Sequence, residues 1–102
     1  MNPPENLERI VNGLRYSVET ATLIASDAYW DGNNWERKGR NQFLYKTPNG
    51  RFFTVNLTQW QGERETLLPI DVEMAVMLYE NDLPEHEVKY EEAFPDMKVE
   101  EA

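Results

Sequence analysis

The single histidine of the chain lies in its most acidic stretch, which makes this stretch the candidate location of a metal site or of acid–base chemistry. His86 is surrounded by Glu85, Glu87, Glu91 and Glu92. A metal centre needs several converging ligands, and one imidazole among solvated glutamates on a short helix offers at most a weak cation site. We therefore predict no metal ligand here and interpret the stretch as a solvated charged face.

Residue types for other catalytic mechanisms occur without the arrangement that catalysis needs. Paired carboxylates, as glycoside hydrolysis requires, have the candidates Asp27 with Asp31 and Glu63 with Glu65, and such pairs arise by chance among nineteen acidic residues. Neither serine stands in a nucleophile-elbow sequence. Cysteine is absent and no glycine-rich phosphate loop occurs. We predict no catalytic residue, no cofactor and no enzymatic activity.

Charge divides the chain into a neutral part and an acidic part. Residues 1–70 hold eight acidic and eight basic side chains, whereas residues 71–102 hold eleven acidic and two basic ones and so carry the whole net charge of −9. This balance disfavours direct binding to nucleic acid, which depends on neutralising phosphates. It favours a partner protein with a basic surface. The candidate partner-binding residues are the four glutamates near the histidine, Glu85, Glu87, Glu91 and Glu92.

The same carboxylates allow two other interpretations. Spaced along a helix, they would imitate the phosphate row of a nucleic acid and occupy the basic groove of a nuclease or repressor, as a phage-type inhibitor of host defence would. They would also serve as a solvated surface that keeps a small protein soluble. The spacing of the glutamates does not separate these interpretations, so both stay open.

A basic stretch in the neutral part offers the acidic segment a docking site within the protein. Its residues are Arg37, Lys38, Arg40, Lys46 and Arg51, against Glu36 alone. Exposed ion pairs contribute only about 0 to 1 kcal/mol each, so docking also requires apolar contacts. We expect Tyr90, Phe94 and Met97 to provide them.

Three tryptophans in polar segments are candidate stacking residues. Trp30 and Trp35 lie in the polar segment 28–41, and Trp60 follows the central hairpin. Large rings with a polar edge could stack on a sugar, a base or a partner side chain. This predicts, as an alternative function, a small-ligand or carbohydrate binder. The other interpretation is that the rings close one end of a small core.

Length and composition indicate one small globular domain. The chain has 102 residues, of which 40% are hydrophobic. We expect a flexible arm over 1–8, a single domain over 9–95 and a frayed acidic tail over 96–102. No signal peptide or long apolar stretch is visible, so we expect a cytoplasmic protein with no membrane contact. We expect a monomer or a weak homodimer.

The strongest local signal is a β-hairpin over about 42–58. Two β-rich runs flank Pro48-Asn49-Gly50. A type I turn with Gly50 in the left-handed region forms a bulge, and it pairs Phe43 with Val55 and Tyr45 with Phe53, which gives one wholly apolar face. The other face is polar, with Leu44 and Phe52 as exceptions.

Helices and a second hairpin complete the predicted α+β fold. Asn12-Gly13 predicts a type I′ turn. Ser17 would cap a helix over about 18–27, and Asp71 would cap a second over about 72–80. Residues 85–94 have both helical and strand-like spacing, and we predict a short acidic helix that ends before Pro95. The two longer helices should cover the apolar face of a small antiparallel sheet of three or four strands.

Two motifs carry a resemblance to known sequences. Residues 16–22 read YSVETAT, and residues 44–53 read LYKTPNGRFF. Over about Arg9 to Pro95 the chain resembles a group of small uncharacterised bacterial and phage-type proteins with a YxxETAT helix start and an LY(K/R)TxxGxFF hairpin. Many members have Asp where Ser17 stands, which keeps the cap. The resemblance implies a small α+β domain, and no functional residue follows from it.

Overall fold

A five-stranded antiparallel sheet dominates the computed structural model, which describes residues 3–27, 40–58 and 64–102. The elements are β1 (Glu8–Val11), β2 (Leu14–Ser17), β3 (Thr22–Ser26), β4 (Arg40–Lys46), β5 (Phe52–Thr58), β6 (Thr66–Ile70), α1 (Val72–Met77), β7 (Glu85–His86) and α2 (Tyr90–Ala93). Strands β1 and β2 form a separate ribbon, and the large sheet has the order β6-β5-β4-β3-β7. The fold is broadly α+β and consists mostly of sheet.

The N-terminal ribbon has the turn that Asn12-Gly13 predicts. Both residues have positive φ, 55° for Asn12 and 78° for Gly13. A type I′ turn requires such angles, and asparagine and glycine adopt them at low cost. Val11 pairs with Leu14 across the turn. The predicted hairpin is therefore confirmed.

The central hairpin has the predicted bulged register. Phe43 pairs with Val55 and Tyr45 with Phe53, so these four side chains share one face of the sheet. All four are buried. A slip of one residue would bring polar neighbours onto this face, which is why burial specifies the register.

Hydrogen bonds at the turn show how the bulge is built. The Gly50 N–H donates to the Thr47 carbonyl oxygen at 2.9 Å, and the Thr47 N–H donates to the Arg51 carbonyl oxygen at 2.7 Å. The Arg51 N–H donates to the Thr47 hydroxyl oxygen at 3.0 Å. Gly50 has a φ of +84°, where L-residues with a side chain are strained.

Replacing Gly50 should therefore destabilise the protein through backbone conformation alone. A Cβ at this position would meet no atom within 4 Å, so no steric clash adds to the effect. We expect Gly50→Val to lower the free energy of unfolding by about 1–2 kcal/mol, Gly50→Asn by less, and Asn49→Asp to be nearly neutral. Chemical denaturation of the three variants checks this order. Equal stability of Gly50→Val and the unchanged protein would contradict the bulged turn.

The first predicted helix, over about 18–27, is wrong because this segment contains strand β3. β3 pairs with β4 on one side and with β7 on the other. The register shifts between Leu23 and Ala25, and this β-bulge buries both Ile24 and Ala25 in one core. Two adjacent buried residues interrupt the alternation of buried and exposed positions that is typical of a strand. Together with Val18 they have the spacing of the apolar face of a helix. Ser17, the predicted cap, ends β2 instead.

One face of the large sheet is covered by the N-terminal ribbon. Tyr16 packs edge-on against Phe53, with 5.9 Å between ring centroids. Val11 and Val18 pack into the same buried cluster, which we call the first core. Arg9 reaches the sheet edge, where its Nη1 donates to the Leu67 carbonyl oxygen at 2.9 Å. The prediction that two helices cover this face is therefore wrong.

The helices cover the opposite face, which the sequence presents as mainly polar. Leu44 and Phe52, predicted as exceptions on that face, lie at the centre of a second core. That core is completed by Ile24 and Ala25 from β3 and by side chains of α1, the π-helical turn Leu78–Asp82 and α2. The sheet is thus buried on both sides.

The second predicted helix is confirmed. Asp71 caps α1, since its Oδ1 accepts from the Met74 N–H at 2.8 Å, and the π-helical turn prolongs the helix beyond the predicted Glu80. The predicted acidic helix over 85–94 is correct only in its second half: Glu85–His86 forms strand β7, which pairs with β3, and helix α2 is confined to Tyr90–Ala93, before Pro95.

Candidate functional site

The four glutamates predicted to bind a partner belong to a segment that is anchored in the core. Leu83, Ala93 and Phe94 are buried on either side of them. The ring centroid of Phe94 lies 5.3 Å from that of Phe52 and 5.5 Å from that of Tyr79. The carboxylates are therefore presented from a backbone whose two ends are fixed by packing.

Local structure sets the position of each glutamate. Glu85 lies in β7, and the Glu87 N–H donates to the Ile24 carbonyl oxygen of β3 at 2.8 Å. Glu91 and Glu92 form the first turn of α2. All four are exposed, and we call them the acidic surface.

The acidic surface has no cationic partner among the described residues. The one ion pair that joins two described residues links Arg15 to Glu8 at 3.7 Å, away from this surface. Lys89 lies between Glu87 and Glu91 in the sequence, but it forms no ion pair with any described residue. Within the described ranges, the surface therefore presents negative charge that no ion pair compensates.

Three rings pack beside the acidic surface. His86 stacks on Tyr79 with 3.7 Å between ring centroids and 13° between planes, and Tyr90 meets Tyr79 edge-on at 5.7 Å. The His86 Nε2 lies 2.9 Å from the Tyr79 carbonyl oxygen. Because a carbonyl only accepts, we place the hydrogen on Nε2. The exposed His86 is thus held in one orientation.

Neighbouring carboxylates influence both tyrosine hydroxyls. Burial raises the pKa of Tyr79, and the charge of Glu91 raises it further. The pKa of Tyr90 is raised by burial, by the hydrogen bond that its hydroxyl donates to Glu80 at 3.1 Å, and by the charges of Glu80 and Glu91. Both hydroxyls therefore stay protonated at neutral pH and act as hydrogen-bond donors, Tyr79 to the Val88 carbonyl oxygen and Tyr90 to Glu80.

A small cavity opens where the rings and the carboxylates meet. Its volume is about 380 Å³, and its lining consists of Tyr79, His86 and Tyr90 together with Glu87, Val88, Lys89 and Glu91. Aromatic faces beside carboxylates recognise organic cations. We call this space the aromatic cavity.

A larger groove of about 660 Å³ separates the central hairpin from the C-terminal segment. At its wall, the Lys46 Nζ donates to the Ala93 carbonyl oxygen at 2.9 Å and lies 5.7 Å from the centroid of the Phe52 ring. Lys46 of the predicted basic stretch thus contacts the C-terminal segment, through a carbonyl group rather than a carboxylate. Arg37 and Lys38 lie outside the described residues.

The remaining candidate features concern stacking, metal binding and membrane crossing. The candidate stacking residues Trp30, Trp35 and Trp60 fall outside the described residues, so their role stays a prediction. In the described ranges, no three His, Asp or Glu side chains group as a metal site. No described helix is long and apolar enough to cross a bilayer.

Two residues of the site, Tyr79 and Tyr90, were not predicted from the sequence as functional. Both flank the acidic stretch, and Tyr90 was predicted only to make an apolar contact. The available signal was the pair of tyrosines on either side of the lone histidine, because aromatic residues near a charged surface are typical of binding sites.

Comparison with known proteins gives no relative for this chain. No protein-family model, curated protein or solved structure matches it. The resemblance of Arg9 to Pro95 to bacterial and phage-type proteins therefore stays a prediction, and the function has to be argued from the site.

Proposed function

We propose that this protein is a non-enzymatic interaction module that binds a basic partner protein through the acidic surface. One observation supports this most directly: four exposed carboxylates without a cationic partner among the described residues are held on a backbone anchored at both ends. Exposed charge of one sign steers a partner of opposite charge to the surface. The neighbouring rings supply the apolar contacts from which lasting affinity arises.

The anchoring separates this proposal from the two other interpretations of the acidic stretch. A surface that only confers solubility needs no fixed backbone, whereas Leu83 and Phe94 hold this one in the core. A nucleic-acid mimic built on a helix needs a row of carboxylates, and α2 has only four residues. The geometry therefore favours a partner with a compact basic surface over a partner that binds phosphates in a long groove.

Neutralising the acidic surface should weaken binding to a basic probe. We expect a variant with Glu85, Glu87, Glu91 and Glu92 all changed to Gln to bind a labelled arginine–glycine peptide roughly tenfold or more weakly, since four exposed pairs contribute up to about 1 kcal/mol each. Fluorescence anisotropy at about 0.05 M and about 0.5 M NaCl measures this, and affinity should fall steeply with salt.

A matched variant controls for total charge. Four other exposed glutamates, Glu5, Glu19, Glu100 and Glu101, are changed to Gln together, which removes the same formal charge. We expect this variant to bind almost as tightly as the unchanged protein. If both variants lose the same affinity for the peptide, total charge explains the binding, and the proposed surface is contradicted. Binding that is insensitive to salt would also contradict it.

A further inference from the structure

The outer face of the His86 ring is positioned as a stacking platform. One face of the ring lies against Tyr79, at 3.7 Å and nearly parallel, and the hydrogen bond from Nε2 to the Tyr79 carbonyl oxygen prevents free rotation. Because the side chain is exposed, the second face is available to a ligand. A flat group that stacks there meets a ring already held in place, so little side-chain entropy is lost on binding.

The residues around this platform favour a cation. Glu87 and Glu91 line the aromatic cavity beside the single base Lys89, so the lining carries a net negative formal charge. Glu80 lies just outside the lining and accepts a hydrogen bond from the Tyr90 hydroxyl. The site thus combines the exposed His86 ring, supported from beneath by Tyr79, with neighbouring carboxylates.

Among protein cations, the guanidinium of arginine fits these features better than the ammonium of lysine. A guanidinium is planar, stacks on aromatic faces, and forms two parallel hydrogen bonds to a carboxylate. An ammonium is compact and strongly hydrated, so it gains less from stacking. A ring face in a cavity that carboxylates also line uses both properties of the guanidinium.

We infer that the aromatic cavity is an arginine site, in which the guanidinium of a partner arginine stacks on the His86 ring and is bound at its edge by Glu87 or Glu91. The inference rests on the proposed function, because it names the partner group that the acidic surface recognises. Tyr79 supports the inner face of the His86 ring, and Tyr90 lies beside Tyr79 in the lining. Lys89 opposes the bound cation and so limits affinity.

Titration with capped amino acids tests the site directly. The probes are N-acetyl-arginine amide, the lysine equivalent and the citrulline equivalent, which has nearly the shape of arginine without its charge. We expect the NMR chemical shifts of the His86 and Tyr90 rings to change as the arginine probe binds, with a Kd on the order of 1–10 mM. The response to the lysine probe should be severalfold weaker, and the citrulline probe should give none. Equal responses to arginine and citrulline, or a stronger response to lysine, would overturn the inference.

Variants separate stacking from general attraction by charge. His86→Phe keeps a flat ring and should retain arginine binding, whereas His86→Leu should lose most of it. Lys89→Gln changes an exposed side chain, so it should leave the fold intact and raise arginine affinity roughly twofold to fivefold. Unchanged arginine affinity in Lys89→Gln would overturn the inference, and so would full binding by a folded His86→Leu variant.

The arginine–glycine peptide distinguishes failure of this inference from failure of the proposed function. If His86→Leu binds the peptide as the unchanged protein does while the variant with four Glu→Gln changes does not, the acidic surface binds without an arginine cavity, and only the inference fails. If the variant with four changes binds normally, the proposed function fails as well. Loss of peptide binding in both variants supports both.

Discussion

Truncation after Asp82 should leave a chain that no longer unfolds cooperatively. The cut removes Leu83, Ala93 and Phe94 from the second core and strand β7 from the sheet. Loss of one large buried side chain costs about 2–5 kcal/mol, and a small domain has only about 5–15 kcal/mol in total. Thermal unfolding followed by circular dichroism measures the result. We expect no sigmoidal transition above room temperature.

A shorter truncation provides the control. Cutting after Lys98 removes residues 99–102, which are exposed, with Val99 at 61%, so the melting temperature should stay close to that of the unchanged protein. If the cut after Asp82 also leaves the melting temperature unchanged, the C-terminal segment is not part of the cooperative fold. The core would then not hold the carboxylates in place, which would contradict the fixed backbone of the acidic surface.

Phe53→Ala should produce the largest loss of stability among single substitutions in the first core. The Phe53 ring is fully buried, stacks on Tyr45 at 5.1 Å and meets Tyr16 edge-on. Removing such a ring costs about 3–5 kcal/mol, which should lower the melting temperature by more than about 10 °C.

Leu68→Ala on the neighbouring strand is the matched control. Leu68 pairs with Thr54 in the same sheet but remains 46% exposed. We expect a loss of no more than about 1 kcal/mol, because much of this side chain is already in water. Similar losses at Phe53 and Leu68 would mean that the first core is less tightly packed than the ring contacts indicate.

The two hairpins were predictable because their information is local. Asn12-Gly13 and Pro48-Asn49-Gly50 each select a turn through the φ angles that their residues adopt, and turn geometry fixes the pairing of the flanking strands. The same holds for α1, because Asp71 caps it by accepting from the N–H of Met74, only three residues further along the chain. Burial of one face then reinforces the register of the central hairpin.

Strand β3 and the covering of the sheet were not predictable in this way. The bulge at Ile24 removes the alternation by which a strand is recognised, and only pairing with β4 and β7 determines its conformation. The covering of each face depends on how distant segments pack. Leu44 and Phe52, the apolar exceptions on a polar face, indicate the second core.

The glutamates of the candidate site were visible in the sequence as charge, but their setting was not. Composition identifies an acidic stretch, whereas the stacking of His86 on Tyr79 depends on the path of the chain between them. The same acidic stretch of sequence is compatible with a solvated face and with an oriented aromatic cavity. Only tertiary structure separates them.

The pairing of β7 with β3 has a consequence for synthesis of the protein in the cell. The other ladders of the large sheet join strands that follow one another along the chain, but this one joins a strand from the first third to a strand from the last fifth. The second core includes Ile24 and Phe94, so it cannot close until residue 94 has left the ribosome. Until then Ile24, Leu44 and Phe52 lack the part of their cover that Ala93 and Phe94 provide, and the nascent chain keeps apolar surface exposed.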